Sequence, residues 1–343
     1  MVAWLRDDHQ PFAPGPATAV SGDRVETEVG GHRVALSHLD RVLFPETGYT
    51  KGQLVGYYTR IAPVLLPHLR DRPVTLRRFP GGVEGPGFFE KHLPAHAPGW
   101  VRSVTVPTGG TGGTGGTGGT GGTGGTGGTV VEYAVIDDLP SLVWAVNLDT
   151  VEFHVPLWHV GRRRNLPAPP DHLVFDLDPG PGTDLVDCCR VAFWIAEALG
   201  DDRRGVAGAT VAGDLSPKTS GSKGLQLYAP LGGRPSWDRV KARAHGTATA
   251  LEAAHPELVV SSMRKAVRSG RVLIDWSQNS PSKTTVAAYS VRARPEPMVS
   301  TPVSWEEVAA CAEAGDPDVL RFTGDEVLAR VEADGDRFAA LGA

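Results

Sequence analysis

Nine residues, His172-Leu173-Val174-Phe175-Asp176-Leu177-Asp178-Pro179-Gly180, constrain this chain more than any other stretch. The apolar run Leu173 to Leu177 reads as a strand stopped by Pro179-Gly180-Pro181-Gly182. Side chains alternate between the faces of a strand, so Asp176 and Asp178 share one face while Leu177 turns into the core. Two carboxylates side by side repel unless a divalent cation neutralises them, and a hard oxygen pair of this kind suits Mg²⁺ or Mn²⁺ bridging to phosphates. A bare D-x-D is common in loops, so its place after an apolar strand and before a forced turn is what gives it weight.

Two further stretches bear on the same chemistry. Arg271 to Asp275 is a second apolar strand ending in an acid, and Asp275 is the natural third ligand, although one such acid alone is more often a cap or turn residue. Thr219-Ser220-Gly221-Ser222-Lys223-Gly224-Leu225-Gln226-Leu227-Tyr228 puts small residues and a lysine immediately before a strand. Exposed backbone N–H groups and one ammonium in such a loop can cradle phosphate oxygens, where the plain alternative is a Ser/Gly turn. Together the three stretches describe a two-metal nucleotidyl-transfer site, with carboxylates for two cations and a clamp for the nucleotide.

The rest of the chain is read around that core. Gly31 to Leu36 is expected as a strand, and Thr50 as the N-cap of a helix running to about Leu66, which Pro63 breaks or kinks. Trp100 to Val106 and Val130 to Ile136 read as two strands joined by a stretched hairpin loop, the seven Thr-Gly-Gly triplets of Thr108 to Gly128 closed by Thr129. Leu185 to Leu199 and Trp237 to Ala254 are expected helices with a strand at Leu225 to Leu231 between them, and short helices follow near Trp305 to Ala314 and Gly324 to Ala333. Outside the low-complexity Thr-Gly-Gly repeat there is no GxGxxG, and there is no GxxxxGK[ST] loop, so dinucleotide-binding and P-loop classes are not supported. Cys188, Cys189 and Cys311 lack the spacing of a zinc site or a disulfide framework. No apolar run approaches a membrane span of about 20 residues and the first ten residues lack signal-peptide order, so no membrane is expected.

Net charge is −5, which argues against a nucleic-acid partner until its distribution is considered. Thr301 to Ala343 holds ten acids and three arginines, so residues 1–300 carry +2. Basic clusters at Arg70 to Arg78, Arg162-Arg163-Arg164 and Arg264 to Arg271 can bind phosphates locally whatever the overall sign, or simply form solvated faces.

At this point the residues resemble a family: the polymerase domain of the bacterial multifunctional end-joining DNA ligase, a branch of the archaeo-eukaryotic primase superfamily. The resemblance runs from about Leu36 to Arg330. It is carried in order by Leu39 to Pro45, Arg78-Phe79-Pro80-Gly81-Gly82, Phe88-Phe89-Glu90-Lys91, Val151 to Pro156, Leu173 to Gly180, Thr219 to Tyr228, Val272 to Asn279 and Ala288 to Arg294. It implies an α/β (α+β) fold with a primase-like catalytic core, a central mixed or antiparallel sheet flanked by helices. It also implies Asp176, Asp178 and Asp275 as the catalytic triad for two divalent cations, Mg²⁺ or Mn²⁺. His154, Ser220, Ser222, Lys223, Gln226 and Arg292 fall where the family binds the incoming NTP or dNTP. Phe88 and Phe89 match an aromatic pair that packs on the templating base. Lys51, and Arg41 where lysine is usual, match a pocket for the downstream 5′-phosphate of a gapped or broken duplex, and Arg78 and Arg268 lie in basic motifs that touch nucleic acid.

The implied function is a DNA repair polymerase of the cytoplasm and bacterial nucleoid that extends a 3′-hydroxyl, with ribonucleotides favoured, and that works with a separate DNA ligase and an end-binding protein. The chain departs from the pattern at Gln226, where the family commonly has histidine, and at the Thr-Gly-Gly tract, and no ligase or nuclease domain is recognised beside it. Two other classes compete: a non-catalytic accessory subunit of end joining, and a haloacid-dehalogenase-type phosphohydrolase, which needs Thr where this chain has Gly180. The expected organisation is residues 1–30 as a partly flexible N-terminal extension, 31–335 as the primase-polymerase domain with the Thr-Gly-Gly loop at 108–129, and 336–343 as a tail.

Overall fold

The computed structural model describes residues 18–20, 24–107, 130–160, 167–201 and 215–342. Residues 1–17, the Thr-Gly-Gly tract and Arg162-Arg163-Arg164 lie outside the described residues. Among the described residues four sheets and six α-helices carry most of the chain.

The sheet that matters most for the site has the strand order Ser216–Thr219, Leu225–Pro230, His172–Pro179, Val272–Asp275, Val259–Val260, antiparallel except for its parallel Val259–Val260 edge. The central strand runs two residues past Leu177, so Pro179 ends it rather than preventing it; its N–H is missing, but the following Gly180 N–H donates to the Arg271 carbonyl at 2.9 Å. Alternation along this strand divides its environment cleanly. Leu173, Phe175 and Leu177 join the core formed with the helices Leu185–Asp201 and Trp237–Ala254, together with Ile195, Val240 and Ala248. Val174 packs on the opposite face, against the core of the second large sheet, and Asp176 and Asp178 follow it on that face. The three cysteines are buried free thiols.

The second large sheet has the order Thr285–Val286, Thr150–Val155, Pro73–Arg78, Val130–Val135, Ser103–Pro107, with the short strand Phe88–Glu90 also pairing to Pro73–Arg78. Ser103–Pro107 and Val130–Val135 form the expected antiparallel pair, and Pro107 lies directly opposite Val130. The chain ends flanking the Thr-Gly-Gly tract are thus already at hairpin distance. Replacing residues 108–129 by Asn-Gly should raise the melting temperature by about 3 °C and not lower it, because a two-residue turn suits such a pair and shortening the loop removes about 0.6 kcal/mol of closure cost per halving. Differential scanning calorimetry of the deletion checks this, and a drop of 5 °C or more would show that the tract packs on the domain.

The helix Lys51–Leu69 begins where Thr50 accepts from the Gln53 N–H while the Gln53 side chain accepts from the Thr50 N–H, a reciprocal capping box. It does not break at Pro63. The helix continues through Pro63 and Pro67 to Leu69, because Ile61, Leu65 and Leu69 are fully buried and tertiary packing outweighs the one backbone bond each proline removes.

Ordered structure also crosses the boundaries drawn from sequence. Arg24–Val29, within the expected extension, pairs along its whole length with His32–Ser37. Near the other end Asp336 binds His68 Nε2 at 2.9 Å and Tyr289 Oη at 2.7 Å, while Phe338 and Leu341 enter the core. No helix among the described residues is long and apolar enough to cross a membrane.

Candidate active site

Antiparallel pairing places Asp176 directly opposite Asp275, and the alternation of the His172–Pro179 strand puts Asp178 beside them. Each of the three offers a carboxylate oxygen within 4.8 Å of the others. Asp275 is buried, Asp176 half-buried and Asp178 exposed. Gly180 closes this end of the strand at a point where no side chain fits: a Cβ there would lie 1.9 Å from the Arg268 carbonyl oxygen. The turn carrying Arg268 therefore packs against the end of the acidic strand.

Amides, a hydroxyl and a backbone N–H, rather than cations, donate directly to the carboxylates. Gln226 Nε2 donates to Asp176 Oδ1 at 3.0 Å, Gln278 Nε2 donates to Asp275 Oδ2 at 3.0 Å and lies 3.5 Å from Asp176 Oδ2, and the Ser277 N–H and hydroxyl donate to Asp275 Oδ1 at 2.9 and 2.6 Å. Among the described residues none of the three carboxylates forms a salt bridge. Burial and the charge of Asp178 push the Asp176 carboxyl up to about 7, and burial together with Asp275 raises Asp178. Three carboxylates that no protein cation pairs directly concentrate negative charge on hard oxygens, which fits a divalent metal, and these residues could hold one.

The Ser220–Gly224 loop lies against this cluster. The Ser220 hydroxyl accepts from the Ser222 and Gly224 N–H groups at 3.2 and 3.1 Å, so two donors expected to face a ligand are already used inside the loop. Gly221 has φ of 66° and a Cβ there would meet Arg292 Cγ at 2.6 Å, so both its conformation and its neighbour require glycine. Lys223 is exposed and, with Ser222, Arg294 and Arg321, lines an open cavity of about 580 Å³. Arg292 ties the loop to the second sheet, its Nη1 donating to the Ser220 carbonyl at 2.9 Å.

His154 is held by Glu152, a residue that sequence reasoning did not single out. Glu152 is 0% exposed and collects His154 Nε2 at 2.7 Å, Arg77 Nη1 at 2.9 Å, the Ala293 N–H at 2.9 Å and Arg292 Nε at 3.3 Å. Burial alone would raise its carboxyl, but the His154 hydrogen bond and the Arg292 and Arg77 charges prevail and hold it well below the carboxylate range. Its signal was present: an acid in a six-residue strand, Thr150–Val155, that is otherwise apolar, Thr or His. Lys218 and Gln278 were also missed. Lys218 is buried, and burial drives its ammonium down to about 7.

Phe88 and Phe89 project outward, 43% and 56% exposed, with the Arg78 and Arg77 guanidiniums 5.4 and 5.2 Å from their ring centres. Phe89 also meets His154 edge-on at 5.3 Å, which links the aromatic pair to the Glu152 cluster. Arg78 is anchored by Glu90 at 2.7 Å and the Leu148 carbonyl at 2.7 Å. Arg41 and Lys51 converge on Asp149, but differently: Arg41 is partly exposed and bonds Asp149 and the Pro80 carbonyl, whereas Lys51 is 1% exposed with Nζ 2.6 Å from the Asn147 carbonyl and 3.2 Å from Asp149.

The family model described as the LigD primase-polymerase domain matches residues 50–338. The chain belongs to the LigD primase-polymerase domain family. It is 39% identical over 315 residues to the multifunctional non-homologous end joining DNA repair protein LigD of Mycobacterium tuberculosis, covering 91% of this chain and 37% of that protein. The LigD proteins of Mycolicibacterium smegmatis, 37% identical over 91% of this chain and 36% of that one, and Bacillus subtilis, 27% identical over 88% and 43%, are also similar. The chain thus spans 36–43% of the length of these relatives. Among solved structures it matches the polymerase domain of Mycobacterium tuberculosis ligase D in complex with DNA, with a TM-score of 0.75 and 38% identity over 90% of this chain and 98% of that one. A LigD primase-polymerase domain is a nucleotidyltransferase.

Proposed function

We propose that the protein adds nucleotides to a 3′-hydroxyl at short gaps or double-strand-break ends, with a template strand choosing the base and pyrophosphate leaving. The observation that supports this most is the convergence of Asp176, Asp178 and Asp275 within 4.8 Å on one sheet face of a LigD-type domain. Two Mg²⁺ or Mn²⁺ ions, when bound by these carboxylates, supply activation of the hydroxyl and charge stabilisation of the attacking and leaving oxygens. Gln226, Gln278 and Ser277 hold the carboxylates in orientation through the hydrogen bonds above. Lys223, Ser220, Ser222 and Arg292 take the triphosphate of an NTP or dNTP, while Glu152 keeps Arg292 and His154 in place beside it. Phe88 and Phe89 offer faces on which an unpaired template base stacks. Arg268 and Arg78 track the nucleic-acid backbone. A ligase activity and an end-binding protein complete repair around this step. Incubation with a gapped duplex, labelled ribonucleotides and Mn²⁺ should give a lengthened primer, and release of phosphate without extension would contradict the reading.

The gap also presents a 5′-phosphate, for which we propose the Arg41 side of the Arg41–Asp149–Lys51 cluster. Arg41 is the partly exposed cation there, whereas the Lys51 ammonium is turned inward and fixes Asp149. Arg41→Ala should erase most of the preference for a 5′-phosphorylated gap, a loss of about tenfold or more in affinity, since a hydrogen bond to a charged group contributes roughly 1.5–3 kcal/mol. Fluorescence anisotropy with phosphorylated and unphosphorylated gaps measures it, and an equal preference in wild type and variant would place the contact elsewhere.

A further inference from the structure

Beside the metal site lies a buried cation that the proposed chemistry does not employ. Lys218, on the strand Ser216–Thr219, is 1% exposed, and its Nζ sits 2.5 Å from Gln226 Oε1 and 2.6 Å from Ser300 Oγ. Removing an ammonium from water costs several kcal/mol even when it is hydrogen-bonded, and an apolar side chain of the same length would fill the space without that cost. What Lys218 does to its partners is therefore the question.

The hydrogen bonds are fixed in direction at both ends. With a cation bound, Asp176 is ionised and only accepts, so the Gln226 atom 3.0 Å from Oδ1 is the amide nitrogen. At the other end the Ser300 hydroxyl donates its proton to the Thr219 carbonyl at 2.9 Å, so Lys218 must donate to Ser300 Oγ. A second Lys218 hydrogen then meets Gln226 Oε1; an ammonium has no lone pair to offer instead, and even a neutral amine carries two hydrogens for these two partners. A flipped Gln226 would set N–H against N–H at Lys218 and oxygen against oxygen at Asp176. Tyr228 cannot replace this lock, because its hydroxyl is 3.4 Å from Gln226 Oε1 and makes its shorter bond, 2.9 Å, to Thr285.

We propose that Lys218 is a positioning residue of the metal site: by fixing the Gln226 amide with its nitrogen toward Asp176, it holds the Asp176 carboxylate with Oδ2 on the side of Asp275, where Gln278 reaches both acids. The inference rests on the metal-binding reading above. An amide needs such a neighbour to choose between its two ends.

The test is a cycle of Lys218→Met, Gln226→Met and the double variant, with Mn²⁺ binding read from the electron paramagnetic resonance signal of free Mn²⁺ and turnover from primer extension. Positioning predicts that each single variant weakens Mn²⁺ binding severalfold and lowers kcat about tenfold with little change in the KM for the gapped duplex. It also predicts that the double variant is no worse than either single one, because both break the same relay. Simple charge removal predicts the opposite sign for Lys218→Met, since losing a nearby cation should tighten Mn²⁺. Unchanged or tighter Mn²⁺ binding in Lys218→Met, or additive losses in the double variant, would overturn the proposal. If Lys218→Met melts below the assay temperature, Gln226→Met decides alone, and wild-type Mn²⁺ affinity and kcat in it would overturn the proposal equally. Absence of Mn²⁺ binding in the wild-type protein would instead strike at the metal-site reading itself.

Discussion

Replacing Asp176 and Asp178 together by alanine should reduce nucleotide addition at least about a thousandfold, while gapped-DNA binding and the fold persist. Loss of the metal's several kcal/mol of transition-state stabilisation sets that magnitude. The fold persists because the two carboxylates oppose the metal-free native state rather than support it. Burial and mutual repulsion raise the Asp176 carboxyl from 3.8 to about 7, so between those values the native protein binds more protons than the unfolded chain. Stability from this group therefore falls as pH rises from about 4 to 7. Without metal, the variant should melt at or above wild type at pH 8, and the difference should close toward pH 4. Added Mn²⁺ should raise the wild-type melting temperature and leave the variant unmoved. Primer extension and calorimetry at the two pH values measure these effects, and extension within tenfold of wild type would remove the pair from the mechanism.

Glu152→Gln is expected to have the second largest effect, on stability and turnover together. Its carboxylate is fully buried and engages His154, Arg77, Arg292 and a backbone N–H at once. Removing one partner of a buried charged network leaves the others uncompensated, a cost of roughly 3–5 kcal/mol, which in a chain of this size lowers Tm by roughly 5 °C. The sign with pH is opposite to that of Asp176. A carboxyl held below its unfolded value contributes stability that is fully present above about 4.5 and lost as pH falls toward its native value, so the gap to wild type should narrow in acid. Because Arg292 and His154 lose their anchor, the KM for nucleotide should rise about tenfold or more. A variant with wild-type Tm at pH 7.5 and unchanged KM would show that the cluster is ornamental to both folding and binding.

The parts of this site that were legible in sequence are those governed by local rules. Strand alternation alone places Asp176 and Asp178 on one face, and a Thr50/Gln53 spacing alone announces the helix start. Contacts between distant segments were not legible. Pro63 reads as a breaker, yet Ile61, Leu65 and Leu69 bury against residues far away in the chain and carry the helix through it. Lys51 reads in sequence as an exposed cation free to meet a phosphate, but whether its ammonium faces solvent or the Asn147 carbonyl is decided across 96 residues. The Ser220 loop reads as a row of free N–H donors, and only its folded form shows Ser220 Oγ occupying two of them. Glu152 and Lys218 are charged residues inside strands, a pattern that marks a buried network without naming its members.

In the proposed reaction Asp176, Asp178 and Asp275 hold the metal ions of nucleotidyl transfer. Anomalous diffraction at the manganese edge, from crystals grown with Mn²⁺ and a non-hydrolysable nucleotide triphosphate, tests it most directly. Anomalous density bonded to oxygens of all three carboxylates is expected, with the triphosphate reaching it from the Lys223 side. A nucleotide bound with no anomalous density at this cluster, or with the manganese at other residues, would contradict it.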